Sequence, residues 1–154
     1  MSYVNAVLGK DENIYYEAEV SYLPFLPQFI LGGLLLLTGL VNLYASLKLG
    51  GGSGLALIIL MLGLIVFIPP IIAKKTTELV ITNRRIIAKF GLIQRHTIEL
   101  KLSKVESIRV AQSILGRLLN YGNLEIVGTG GTREPIPRIS NPLMFRRKFD
   151  EILN

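Results

Sequence analysis

The chain contains no cysteine, and His96 is its only histidine. Disulfide frameworks, thiol nucleophiles and the usual zinc ligand sets are thereby excluded. A metal site built from carboxylates alone would need them clustered, and the sequence clusters none. No serine lies in a nucleophile-elbow context, so His96 has no candidate triad around it and is expected on a solvated strand face. These absences point away from an enzyme. No cofactor, small-molecule substrate or nucleic acid is expected to bind.

The second absence is of charge. No Asp, Glu, Lys or Arg occurs between Glu19 and Lys48, nor between Lys48 and Lys74. Each interval can hold the roughly 20 apolar residues that a helix needs to cross a hydrocarbon core ~30 Å thick. The 154 residues are 50% hydrophobic with a mean hydropathy of +0.47, and the excess lies almost entirely before Lys74. The chain therefore reads as a membrane protein. Before the first apolar run stand Lys10 and the acidic Asp11, Glu12, Glu17 and Glu19, where a signal peptide would begin basic. The first span is expected to be retained as an anchor.

That span is expected over residues 24–47, opening on Pro24 and Pro27, which a first helical turn tolerates because its N–H groups lack partners anyway. Gly50-Gly51-Gly52-Ser53-Gly54 then breaks the helix. The second span is expected over residues 55–73, long enough at 1.5 Å per residue to cross with little tilt, with Pro69-Pro70 kinking it near its end or stopping the regular helix there. Two spans make a hairpin. Lys48 alone lies in the turn, whereas Lys10 and Lys74-Lys75 flank the other ends, so the positive-inside rule predicts a multi-pass cell-membrane protein with both termini cytoplasmic.

After Lys75 the periodicity changes. In His96-Thr97-Ile98-Glu99-Leu100-Lys101-Leu102 the apolar residues alternate, the mark of a half-buried strand. Comparable runs at 77–82, 85–90, 105–112, 121–127 and 134–139 bring the reading to six strands. The turns at Thr82-Asn83-Arg84-Arg85, Phe90-Gly91-Leu92, Leu102-Ser103-Lys104 and Gly128-Thr129-Gly130-Gly131 are short, which implies antiparallel neighbours. Residues 113–120 interrupt the strands with a short helical excursion. Asn141-Pro142 supplies a capping residue and a first-turn proline for a last helix whose Phe145, Phe149 and Ile152 share one face, with Arg146, Arg147, Asp150 and Glu151 turned outward.

The ordered string Thr82-Asn83-Arg84-Arg85-Ile86-Ile87, Gly91-Leu92-Ile93, Gln112-Ser113-Ile114-Leu115-Gly116-Arg117-Leu118-Leu119-Asn120-Tyr121-Gly122 and Gly128-Thr129-Gly130-Gly131, behind two apolar helices, resembles the YdbS-like bacterial PH-domain membrane proteins. The resemblance runs from about Glu12 to the end. It implies an α+β membrane protein: an N-terminal two-helix transmembrane hairpin, then a pleckstrin-homology-like antiparallel β-barrel or sandwich with a C-terminal capping helix. The expected division is a cytoplasmic tail at 1–22, the hairpin at 23–73 and a PH-like cytoplasmic domain at 74–154. A full PH fold has seven strands against the six read, so either 14–22 supplies one or one is hidden in the boundaries.

Several motifs carry two readings. Thr82-Asn83-Arg84-Arg85 could bind phosphate, since Arg matches phosphate in a bidentate fork. The stronger reading is a β-turn in which Asn83 supplies the backbone conformation and both arginines are solvated. Gly128-Thr129-Gly130-Gly131 lacks the Gly-Lys-Ser/Thr of a P-loop and leads into a strand, which makes it a hairpin. Lys74 and Lys75 mark the membrane boundary and would lie at headgroup level. Ile114, Leu115, Leu118 and Leu119 around Arg117 either meet a partner or the bilayer interface, or pack under the sheet edge; both stay open. Gly32, Gly33, Gly39 and Gly63 could admit close helix approach, and Asn42 is expected to bond a neighbouring helix or to lie near the interface.

Two functions are expected. The first is a non-enzymatic platform for a protein partner or a homo-oligomer at the inner face of the bacterial cytoplasmic membrane, with Ile114, Leu115, Leu118 and Leu119 as the partner-contact patch. The second is recognition of membrane lipids with anionic headgroups through Lys74, Lys75, Arg84, Arg85 and Arg117. From residue 74 onward fifteen basic residues face seven acidic ones, a net charge of +8.

Overall fold

The computed structural model describes residues 3–91 and 95–153. Leu92 and Ile93 of the Gly91-Leu92-Ile93 motif, part of the Phe90-Gly91-Leu92 turn, and Asn154 lie outside the described residues. The chain divides into two compact units, Phe25–Ile72 and the combination of Met1–Pro24 with Ala73–Asn154.

The first unit is built on helices α2 (Leu26–Leu49) and α3 (Gly54–Val66), with helix α4 (Ile68–Thr76) continuing the chain after Phe67. Counted with their flanking turns, Leu23–Leu49 and Gly54–Thr76 are long and apolar enough to cross a membrane. A 3₁₀ turn at Leu23–Phe25 precedes α2, so regular helix starts slightly later than residue 24. Gly50 ends it, in the left-handed conformation that glycine adopts without a Cβ penalty. Pro69 and Pro70 offer no N–H to the carbonyls of Ile65 and Val66, and α3 closes instead on a tight bond from the Phe67 N–H to the Leu64 carbonyl, 3.1 Å.

Close packing of α2 on α3 uses three of the four glycines singled out above. A Cβ on Gly39 would stand 2.7 Å from Leu60, one on Gly63 2.9 Å from Leu36, and one on Gly32 2.6 Å from Phe67. Gly33 has open space around it, so close approach does not account for it. Asn42 turns back on its own helix, where its Nδ2 donates to the Thr38 carbonyl at 2.9 Å.

Among the described residues the second unit holds seven strands. Strands β1 (Ile14–Ala18), β2 (Glu78–Thr82), β3 (Arg85–Phe90) and β4 (His96–Lys101) form an antiparallel sheet in that order. Strands β5 (Val105–Ala111), β6 (Tyr121–Gly128) and β7 (Arg133–Ser140) form a second. The missing seventh strand is β1, from the segment before the first apolar helix. Its continuation reaches the second sheet through a Val20–Ile139 bridge, with the Ser21 N–H donating to Arg138 O at 2.7 Å and the Ser140 N–H to Glu19 O at 2.8 Å. The sheets do not close into a barrel: β4 and β5 each pair with a single strand among the described residues. Leu102–Lys104, a 3₁₀ turn, separates them where a continuous ladder would be needed.

Helix α6 (Pro142–Leu153) lays Phe145 and Phe149 against β1, β5 and β6, and Tyr16 meets Phe145 edge-on with ring centroids 6.1 Å apart. Asn141 serves α6 with its backbone carbonyl, which accepts from Met144 and Phe145, while its side chain accepts from Asn120 Nδ2. The inner faces supply Leu79, Ile81, Ile86, Ala88, Ile108, Leu124, Ile126 and Ile136, all buried.

On the first sheet the outer face is covered as well. Helix α1 (Tyr3–Val7), unanticipated in a segment read as a tail, packs Val4 on the paired Val80 and Ile87, flanked by Tyr3, Val7 and Leu8. That explains why Leu79-Val80-Ile81 and Ile86-Ile87-Ala88 are continuous apolar runs rather than alternating ones. Polar groups hold both ends of α1. The Glu78 carboxylate accepts from the N–H groups of Tyr3 and Val4, each at 3.0 Å, and Arg85 Nη2 donates to Val7 O at 2.8 Å. Negative charge at the start and positive charge at the end match the helix dipole.

Candidate functional site

The turn Thr82-Asn83-Arg84-Arg85 joins β2 to β3, as read from the sequence, but its residues work differently. Asn83 is not among the residues with positive φ. Its side chain instead fastens the 11–13 segment: Oδ1 accepts from the Asn13 N–H and Nδ2 donates to Asp11 O, each at 3.2 Å. Arg84 projects into solvent with Asp11 3.9 Å away. Arg85 is not solvated. Its Nε and Nη2 grip the two oxygens of Glu12 at 2.8 and 2.7 Å, and Nη1 donates to Glu99 at 2.6 Å.

The Glu12 side chain is only 2% exposed, so its charge must be met locally. Besides Arg85 it accepts from the Gly9 N–H at 3.1 Å and from Thr82 Oγ1 at 2.8 Å. The Arg85 guanidinium, then the Gly9 and Thr82 donors, outweigh burial and hold the Glu12 carboxyl down at about 2. The same pairing raises the Arg85 pKa still further above its ordinary value. This is a fastening of the 9–13 segment onto the first sheet, and it occupies the fork that a phosphate would need.

Lys74 and Lys75 stand at the opposite end of β2 from Arg84 and Arg85. Lys74 bonds Glu19 at 3.0 Å and lies 4.6 Å from the centre of the Tyr22 ring. Together with Lys75 it lines a surface cleft of about 480 Å³ whose other charged members are Glu17, Glu19 and Glu78. Three carboxylates against two lysines leave that cleft unsuited to an anion.

Arg117 lies apart from both pairs, on helix α5 (Ile114–Leu118). Ile114, Leu115 and Leu118 are 88, 61 and 79% exposed, while Leu119 is half-buried. Ser113 Oγ caps the turn by accepting from the Gly116 N–H at 3.0 Å. Gly116 is the buried residue, and a Cβ on it would stand 2.6 Å from Tyr121 O. Thus the inward place belongs to glycine, and the large apolar residues face out.

Leu143, Met144 and Arg147 join this surface, and sequence reasoning did not select them. Leu143 lines a cleft of about 380 Å³ with Val110, Gln112, Arg117 and Asn120, and a neighbouring one with Met144 and Arg147. The available signal was their position off the Phe145, Phe149 and Ile152 stripe, which leaves two large apolar residues on the solvent side of an amphipathic helix.

Among the described residues, no group of three or more His, Asp or Glu could hold a metal ion. His96 lies exposed on β4 and stacks on Phe90 with ring centroids 5.4 Å apart. The Gly128-Thr129-Gly130-Gly131 segment forms the β6–β7 hairpin, with Gly130 and Gly131 at positive φ.

No curated protein and no solved structure matches the chain. A family model, the bacterial PH domain, matches residues 23–154. That stretch takes in both long apolar helices and strands β2 to β7, well over half of the sequence, and the chain therefore belongs to the bacterial PH domain family.

Proposed function

We propose that the protein is a non-enzymatic interaction module, fixed to the bacterial cytoplasmic membrane by α2 and the α3–α4 segment crossing as a hairpin, with both termini cytoplasmic. Its PH-like domain serves as a platform for a protein partner or a second copy of itself. The observation that carries this reading is the free edge of β5. Seven residues, Val105–Ala111, pair only with β6 among the described residues, and a cleft lined by Arg109, Val110, Ala111, Asn123 and Pro135 lies along the same strand. An unpaired row of N–H and C=O groups beside side-chain pockets is what strand addition requires. A photo-crosslinking residue at Arg109 or Ala111, activated in native membranes, should yield one discrete adduct. A solely monomeric species after crosslinking and gentle extraction overturns the platform reading.

Recognition of anionic lipid is the second reading, favoured by the exposure of Arg117 among apolar side chains. Arg84 and Arg117 are its candidates, whereas Lys74 and Lys75 line the cleft that carries three carboxylates and Arg85 is engaged by Glu12 and Glu99. The full chain is the proper material for a liposome assay. A fragment beginning at residue 74 would lack α1 and β1, and with them one strand of the first sheet. Binding that ignores both lipid charge and salt argues against this reading.

A further inference from the structure

We infer that α5 and the first turn of α6 form one apolar surface, collared by Arg117 and Arg147, that dips into the interfacial layer of an anionic bilayer. The inference rests on the membrane reading above and names the surface by which the PH-like domain itself would meet lipid.

Exposure of Ile114, Leu115 and Leu118 is imposed by the fold. Full burial of a side chain of this kind is worth about 1.5–3 kcal/mol, and the turn forgoes it three times over. It is held in that orientation from three sides: by the Ser113 cap, by Gly116 against Tyr121 O, and by Gln112 Nε2, which donates to Gly116 O at 3.2 Å and Tyr121 O at 3.0 Å. Asn120 then ends α5 in the left-handed conformation, with a φ of 55°. Single exposed apolar residues need no explanation, but a contiguous set does. Leu143 and Met144 on α6 are exposed too, and Leu143 shares a cleft with Arg117 of α5.

The charges select the occupant. Arg117 lines the cleft over Leu143, Arg147 lines the neighbouring cleft with Leu143 and Met144, and no carboxylate is among the described residues lining either. Arg147 Nε lies 3.4 Å from Glu151 on its own helix. By contrast, the cleft at Lys74 and Lys75 carries three glutamates. An apolar tip with arginines at its base suits acyl chains below a layer of phosphates, where the guanidinium fork can bond two oxygens.

The absence of cysteine makes the test direct. Three single-cysteine variants of the full chain, Leu118→Cys, Thr97→Cys on β4 and Leu37→Cys on α2, would carry a fluorophore and be reconstituted into phosphatidylcholine vesicles with or without phosphatidylglycerol. Quenching by lipid-borne nitroxide and by aqueous iodide is then compared. The expected result is lipid quenching at Leu118 in anionic vesicles, weakened by salt, with Thr97 quenched only from water. Adding R117Q and R147Q should shift the docking equilibrium by about fivefold for each arginine removed. If the Leu37 label is lipid-quenched while the Leu118 label stays fully open to iodide, the anchor stands and this inference falls. Should the Leu118 label be shielded from both quenchers, a protein occupies the surface and the inference falls as well. Failure of the Leu37 label to meet lipid would instead bring down the membrane reading itself.

Discussion

On the first sheet, Val80 and Ile87 lie under α1, and Glu78, Arg85 and Asn83 bind the covering segment by its backbone. On the second, Arg109, Asn123 and Pro135 occupy the outer face and stay open to solvent, with one surface ion pair, Arg109 to Glu125 at 3.6 Å. Both sheets are antiparallel and both give their inner faces to the same core. The difference shows how one small domain divides its labour. Charged groups on the covered sheet are used to hold the chain together, so they are unavailable to ligands. Near the uncovered sheet Arg117 is exposed, while Arg109 and Arg147 make surface ion pairs with Glu125 and Glu151.

If that division holds, the first sheet should be the more sensitive. Glu12→Gln leaves Arg85 without its buried partner and should cost about 3–5 kcal/mol, read as a lowered unfolding midpoint of the strand signal in detergent. Acid should reach the same bond. The folded-state pKa of Glu12, about 2, lies below its ordinary 4.5, so its stabilisation is complete above about pH 4.5 and is lost as the pH falls toward 2. That loss amounts to about 3 kcal/mol, and it should be absent from the pH dependence of the Glu12→Gln variant.

Gly116→Ala sharpens the contrast on the other side. Its Cβ meets a backbone oxygen that cannot swing aside, so a loss of about 1–3 kcal/mol is expected together with displacement of α5, visible as changed iodide access at a Leu118→Cys label. Trimming one methylene from the covered face by Ile87→Val should cost about 1 kcal/mol in the same denaturation assay. Arg109→Ala on the bare face should change stability by less than about 0.5 kcal/mol, since an exposed ion pair contributes little. A cost at Arg109 as large as at Glu12 would abolish the distinction between the sheets.

Much of the fold could be read from local pattern. Short apolar or alternating runs between turns located six strands to within a residue or two, the glycine run placed the turn between the apolar helices, and Pro69-Pro70 marked the break before α4. Helix α1 escaped because five residues cannot sustain a helix alone; Tyr3–Val7 is helical only against Val80 and Ile87. The clue lay elsewhere, in the unbroken apolar runs of β2 and β3, which announce a sheet covered on both faces. The candidate site was legible in part. Arg117 and the apolar residues of α5 were singled out, but the pattern reads alike whether they face inward or outward. Arg84 and Arg85 are chemically identical neighbours, and one projects into solvent while the other joins Glu12 and Glu99.

Sequence alone determined what depends on near neighbours: two helices long enough to cross a bilayer, the strand periods, the turns, and the absence of thiol or histidine-cluster chemistry. Tertiary structure decided which charges are bound and which are available. Glu12 and Arg85 are 73 positions apart, and Leu118 faces out because Gly116 rests on a backbone oxygen of the following strand. Period and length are properties of a segment, whereas burial and charge pairing are properties of the surfaces that distant segments bring together.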